Sequence, residues 1–312
     1  MRLAARISHS FAPRIAVFAL TASAFSTGCS LKTIAVSTVA DTLSETGSTF
    51  TSDEDLKLVG DAIPFALKLQ ETLLESVPEH RGLLLATCSG FTQYSYAYVE
   101  TDAEGLAPAR RAEIQELRDR ALKLYLRARR YCFRAIDERF GDKSSEMLLQ
   151  NPETVVAKAK REDIPLLYWT AASWGAAISL GIDRPDLAID LPTVRVLAER
   201  ALALDAGWNK GALPELFITL DSLPEALGGN PARARAHFAR AVELQKGLSP
   251  GPYVALATGV AVPGQDRAEF ERLLKQALAI DPDQDPSNRL AALVTQKRAR
   301  LLLERIDEKF SK

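Results

Sequence analysis

Apolar positions recur at helical spacing along most of the chain. Between Asp53 and Val77, the residues Leu56, Val59, Ile63, Leu67 and Leu74 fall near intervals that keep them on one side of a helix. The segment 110–140 repeats the arrangement with Leu117, Leu124, Ala128, Tyr131 and Ala135. Residues 190–205 open on Asp190-Leu-Pro192, an acidic cap candidate followed by a proline in the first turn, where the missing N–H costs little. Further helices are expected near 212–221, 231–246, 252–260, 267–280 and 287–310. Alternation bounded by turn residues, the mark of strands, is almost absent, so the fold class is all-α.

Two segments break the polar and apolar alternation. Leu83 to Val99 carries no charge, and neither does Ile164 to Ile182. Runs of this length are formally membrane-span candidates. However, both are diluted by Ser, Thr, Gly and Ala, the second opens near Pro165, and neither has flanking basic clusters. A helix that is apolar on all sides is expected to be enclosed by other helices.

The two runs share a pattern. Leu84, Thr87, Cys88 and Phe91 have the same spacing as Leu167, Thr170, Ala171 and Trp174, which places bulky, small and aromatic side chains on one face. This is the spacing of the first helix of a tetratricopeptide (TPR) pair. The second-helix pattern appears at Ala234, Phe238 and Ala241, and more loosely at Phe270, Leu274 and Ala277 and at Val194, Ala198 and Ala201. The steps between these copies exceed the usual repeat of about 34 residues. The expected architecture is therefore a set of divergent TPR-like helical repeats, an α-solenoid with a compact helical core.

The first residues differ in kind. Arg2, Arg6 and Arg14 precede an apolar stretch from Ile15 to Phe25, then Ser26-Thr27-Gly28 and Cys29. Charged, apolar and small-residue regions in this order read as a secretory signal. A cysteine directly after the small residue points to a lipoprotein with lipid on Cys29, the alternative being an ordinary signal peptide cut nearby with a soluble product. The domain plan is thus a signal peptide over 1–28, a Ser- and Thr-rich flexible tether over 29–55 and a helical domain over 56–312. The whole chain of 312 residues has a net charge of −1, and no basic block remains beyond the signal, which argues against nucleic acid as a partner. Cys88 and Cys132 sit among apolar residues on expected helices. They are read as small buried hydrophobes in preference to a disulfide, although an oxidising compartment would allow them to pair.

Sites for chemistry are scarce. There is no phosphate-binding glycine loop, no nucleophile elbow and no metal-spaced histidine pair, so neither catalysis nor a cofactor nor a metal site is expected. Gly228-Gly229-Asn230-Pro231 reads as a loop feeding a helix, with Asn230 as cap and Pro231 in the first turn. The aromatics are more suggestive. Tyr94, Tyr96 and Tyr98 cluster in the first uncharged segment, and Tyr168, Trp169 and Trp174 in the second. Tyr and Trp combine an apolar body with a polar tip, which suits the wall of a pocket or pore. Tyr94, Tyr98, Tyr168, Trp169 and Trp174 are the candidate lining residues.

These same segments resemble the T component (TatT) of TRAP transporter systems. The resemblance is carried by Ser89-Gly-Phe-Thr-Gln-Tyr-Ser-Tyr-Ala-Tyr98, Leu167-Tyr-Trp-Thr-Ala-Ala-Ser-Trp-Gly-Ala-Ala-Ile178 and Glu199-Arg-Ala-Leu-Ala-Leu-Asp205. It continues through His237-Phe-Ala-Arg-Ala-Val-Glu-Leu244, Gly251-Pro-Tyr253 and Phe270-Glu-Arg-Leu-Leu274, from about residue 56 to the C-terminus. It implies a periplasmic lipoprotein of TPR-like helices that forms a homotrimer and associates with the solute-binding P component. The trimer's concave faces and pores would receive that partner or a hydrophobic ligand. No catalytic residue comes with it. Ser30 after Cys29 allows outer-membrane placement of the anchor. The alternative is a general TPR scaffold lipoprotein of the cell envelope.

Overall fold

The computed structural model describes residues 37–42, 47–182 and 184–310, and among these there is helix and short connection but no strand. The principal helices are α1 (Leu56–Ser76), α2 (Arg81–Tyr94), α3 (Arg111–Phe140), α4 (Ile164–Leu180), α5 (Leu191–Leu204), α6 (Ala212–Asp221), α7 (Pro231–Leu244), α8 (Gly251–Leu256), α9 (Arg267–Ala279) and α10 (Arg289–Glu304). Local chemistry sets several of their starts. Asp55 caps α1 by accepting from the backbone N–H groups of Lys57 and Leu58, each at 2.9 Å. Asn230 caps α7 by accepting from Arg233 N–H at 3.0 Å, with Pro231 opening the helix, as the loop sequence predicts. The acidic cap expected at Asp190 does not form. That carboxylate lies 3.7 Å from Arg129 of α3 and makes no cap bond.

Helix α4 is the centre of the first core. Its Ile164, Leu167, Ala171, Trp174 and Ala177 are fully buried, and it packs on α2, α3 and α5. Burying each large apolar side chain contributes about 1.5–3 kcal/mol. The enclosure explains why this helix tolerates an uncharged sequence on every face. Among the described residues, no helix is long and apolar enough to cross a membrane. The second core runs from Ile218 to Phe310, where Phe270 and Phe310 meet edge-on at 5.3 Å. Helix α6 belongs to both, with Leu213, Phe217 and Leu220 in the first core and Ile218 in the second.

Cys88 of α2 and Cys132 of α3 are joined by a disulfide, with Cα atoms 5.4 Å apart. This corrects the reading of two separate buried thiols. Both are fully buried, as expected, but the helices bring them face to face. A second correction concerns the segment read as a flexible tether. Its described parts, 37–42 and Gly47–Thr51, are helical. Ala40 is fully buried in the first core, and Asp41 lies 3.0 Å from His80. Burial of this apolar side chain, together with the Asp41–His80 contact, holds this stretch on the domain. The stretch 141–162, poorly patterned in sequence, forms short helices Ser144–Gln150 and Pro152–Val156 that bury Leu148 and Val155. The signal peptide and Cys29 lie outside the described residues.

Buried charges tie helices together. Asp221, at the end of α6, receives Arg195 of α5 at 2.9 Å and Arg233 of α7 at 3.0 Å. Glu71 of α1 accepts from Arg127 Nε at 2.6 Å, from the Tyr131 hydroxyl at 2.7 Å and from Lys68 at 2.8 Å. Burial works to raise the Glu71 carboxyl, but the hydrogen bonds from Lys68, Tyr131 and Arg127 outweigh it and hold the group below the usual carboxylate range. Its stabilisation is therefore present above the unfolded carboxylate value and is lost as pH falls through the lowered folded one. Replacing Glu71 with Gln should flatten this acid slope. Urea midpoints measured down through mildly acidic pH test this, and equal slopes for the two proteins would contradict it.

The helices pack in succession, α1 on α2 through to α9 on α10, and α10 then returns to the start of the chain. It contacts Gly47–Thr51, α1 and the helical extension beyond α2. Arg298 of α10 forms a forked pair with Glu104, at 2.7 Å through Nε, and Arg305 donates to the carbonyls of Glu104 and Leu106 at 2.7 and 3.1 Å. The array is thus closed, with its last helix fastened to its first hairpin.

Candidate functional site

The closure brings side chains from the beginning, middle and end of the chain within electrostatic reach of one another. The first comes from beyond α2, where the helix widens into a π-turn over Ser95–Glu100 and resumes over Thr101–Gly105. Such a turn carries an extra residue and shifts the phase of the side chains after it. Local hydroxyls satisfy the loosened carbonyls. Ser95 donates to Phe91 O at 2.7 Å and Thr101 to Tyr96 O at 3.1 Å. The result is that Tyr96, Glu100 and Glu104 come near α10. Arg298 lies 4.6 Å over the Tyr96 ring while it pairs with Glu104, and Glu100 accepts a hydrogen bond from the buried Tyr125 hydroxyl.

The opposite side comes from α4 and α6. Tyr168 stands near the start of α4, 5.0 Å from both Trp169 and Trp208 by ring centroid. Glu215 lies in the first turn of α6, half-buried, and accepts from Gln245 Nε2 at 2.7 Å. Gly251 makes room for that carboxylate, because a Cβ there would lie 1.9 Å from Glu215 Oε1. Glu215 acts electrostatically on both Tyr96 and Tyr168, and Tyr96 acts on Tyr168.

Exposure and electrostatics together characterise this group of side chains. Tyr96 keeps 39% of its surface accessible, and Tyr168 and Glu215 are only half-buried. Even so, the surrounding protein pushes the hydroxyls of both tyrosines and the carboxyl of Glu215 above their ordinary pKa and so disfavours their ionisation, burial being the largest cause in each case. For Glu215 the Gln245 hydrogen bond opposes that rise. These side chains touch solvent and are at the same time hemmed in by protein. An open cleft of about 570 Å³ between Thr101, Glu113, Lys297 and Leu301 contains none of these converging aromatics. Among the described residues, no group of His, Cys, Asp and Glu gathers to hold a metal ion.

The expected lining residues divide three ways. Tyr168 is half-buried, with Trp169 and Trp208 packed against its ring. Tyr94 and Tyr98 stack on each other at 5.6 Å in a different place. There Tyr94 lies beneath Arg120 of α3 at 6.0 Å, and the Tyr98 ring sits so close to Gly60 of α1 that a Cβ would come within 2.5 Å. Burial and the nearby Asp53 push the Tyr98 hydroxyl up to about 12. Trp174 is fully buried, edge-on to Phe133 at 5.0 Å and under Arg129 at 5.1 Å, so it is a core side chain and not a wall. Tyr96 belongs to the aromatic cluster singled out in the sequence, whereas no sequence signal pointed to Trp208, Glu215 or Arg298.

Fold and contacts together define an all-α array of packed helices whose last helix returns to its start. The family model of the TRAP transporter T-component matches residues 52–310. A protein of Treponema pallidum (strain Nichols), described as an uncharacterized protein, is 30% identical over 318 residues, covering 95% of this chain and 98% of that relative. The chain belongs to the TRAP transporter T-component family.

Proposed function

We propose that the protein is a lipid-anchored periplasmic accessory subunit of a TRAP-type solute uptake system, which binds the solute-binding P component and takes a ligand into an internal space among Tyr96, Tyr168 and Glu215. Family membership over residues 52–310 carries this reading. The buried Cys88–Cys132 bridge suits an oxidising compartment. A lipid on Cys29 would hold the domain at a membrane and raise its effective concentration against partners there. Self-association as a homotrimer has apolar surface to draw on. Phe65 and Leu58, on the outer side of α1, are 74% and 60% exposed, and Ile189 is 76% exposed. The wall residues Tyr168 and Trp169 offer the ligand apolar contact and polar tips together.

One fractionation experiment tests both anchor and partner. The protein and its Cys29→Ser variant are tagged, expressed in a Gram-negative host carrying the TRAP system, labelled with palmitate and captured from membrane and periplasmic fractions. Palmitate on the unaltered protein only, and the P component among the captured proteins of both, is the expected result. Recovery of envelope chaperones without a solute-binding protein would favour the scaffold reading and sink the transport one.

A further inference from the structure

We propose that the internal space recognises the protonated amine end of an amphipathic ligand, with Glu215 as its counter-ion and Tyr96 and Tyr168 as aromatic wall. The inference rests on the reading of that space as a ligand site and names the chemistry it selects. Charge around the space is unbalanced. Glu104 is neutralised by its forked pair with Arg298, and Glu100 is engaged by the Tyr125 hydroxyl. Glu215 has no cationic partner among the described residues, and its one hydrogen-bond donor is the Gln245 amide. That amide leaves its own Oε1 buried without a donor. The corner therefore offers hydrogen-bond acceptors that no cation faces, and a half-buried carboxylate there is poorly solvated.

An ammonium group supplies what is missing. It brings several N–H donors and a positive charge to Glu215 in a site where the surrounding protein weakens solvent screening. The tyrosine faces attract cations through their ring quadrupoles, as the stacking of the Arg298 guanidinium at 4.6 Å on Tyr96 already illustrates. Burial pushes the Glu215 carboxyl up, and a bound cation would favour its ionised form in return. A carboxylate ligand at the same corner would meet the like charge of Glu215. The rings of Tyr168, Trp169 and Trp208 leave an apolar surface for the rest of an amphipathic molecule.

Titration calorimetry of the purified protein with octylamine, octanol and octanoate separates charge from apolar body. Octylamine is expected to bind at least about tenfold more tightly than octanol, with octanoate weakest. Glu215→Gln should remove that advantage and leave octanol binding unchanged. Tyr168→Leu, which keeps apolar bulk but no π-face, should reduce it as well, and it decides the matter if Glu215→Gln does not fold. If octanol or octanoate binds as well as the amine, or if the folded variants retain the preference, the amine assignment is overturned while the ligand site stands. If none of the three binds, the ligand-site reading itself fails.

Discussion

With Cys88 and Cys132 both replaced by alanine, the protein is expected to lose about 4 kcal/mol of unfolding free energy. The bridge spans a sequence separation of 44 residues, and closing a loop of that length removes much of the freedom of the unfolded chain. It also fixes α2 against α3 beside Phe91, Ala128 and Leu67. Urea unfolding of the oxidised protein, the reduced protein and the double variant measures the effect. Equal stability of oxidised and reduced protein would show that the bridge contributes nothing. Because both cysteines are fully buried, the native protein should also resist mild reductant until it unfolds.

Trp174→Ala is expected to cost about 3–5 kcal/mol, the range for removing a large aromatic from a packed interior. The ring fills the space between α4 and Phe133 with no solvent contact, so the variant leaves a cavity that its neighbours close only in part. Trp174→Phe should be much milder. It keeps most of the volume and removes an indole N–H that is buried without an acceptor. Chemical denaturation ranks the two variants, while affinity for any ligand of the internal space should stay near that of the unaltered protein. A loss of affinity without a loss of stability would return Trp174 to the wall.

Helix class and the course of most helices were legible in the sequence because helical periodicity is local, and α4 could be read as enclosed because no polar face was available to show to water. The candidate site was harder to read, for three reasons. Tyr94 and Tyr98, four residues apart, do share a face, but it is the face toward α1 and α3. The π-turn that follows α2 breaks the regular spacing and brings Tyr96 near α10 instead. Glu215 and Arg298 look like ordinary surface charges until distant helices meet around them. The pairing of Cys88 with Cys132 likewise depends on how α2 and α3 pack, which neither helix specifies alone.

Helical arrays are usually open lines whose units touch only their neighbours, so that a line can lengthen or shorten by a unit and keep its character. The return of α10 to the Glu104 turn withdraws that freedom here. Extra residues can still accumulate in surface connections, where chain length costs little. An added hairpin would carry Arg298 away from its carboxylate and open the circle, and a lost one would leave it too tight to close. The architecture therefore fixes its own number of hairpins.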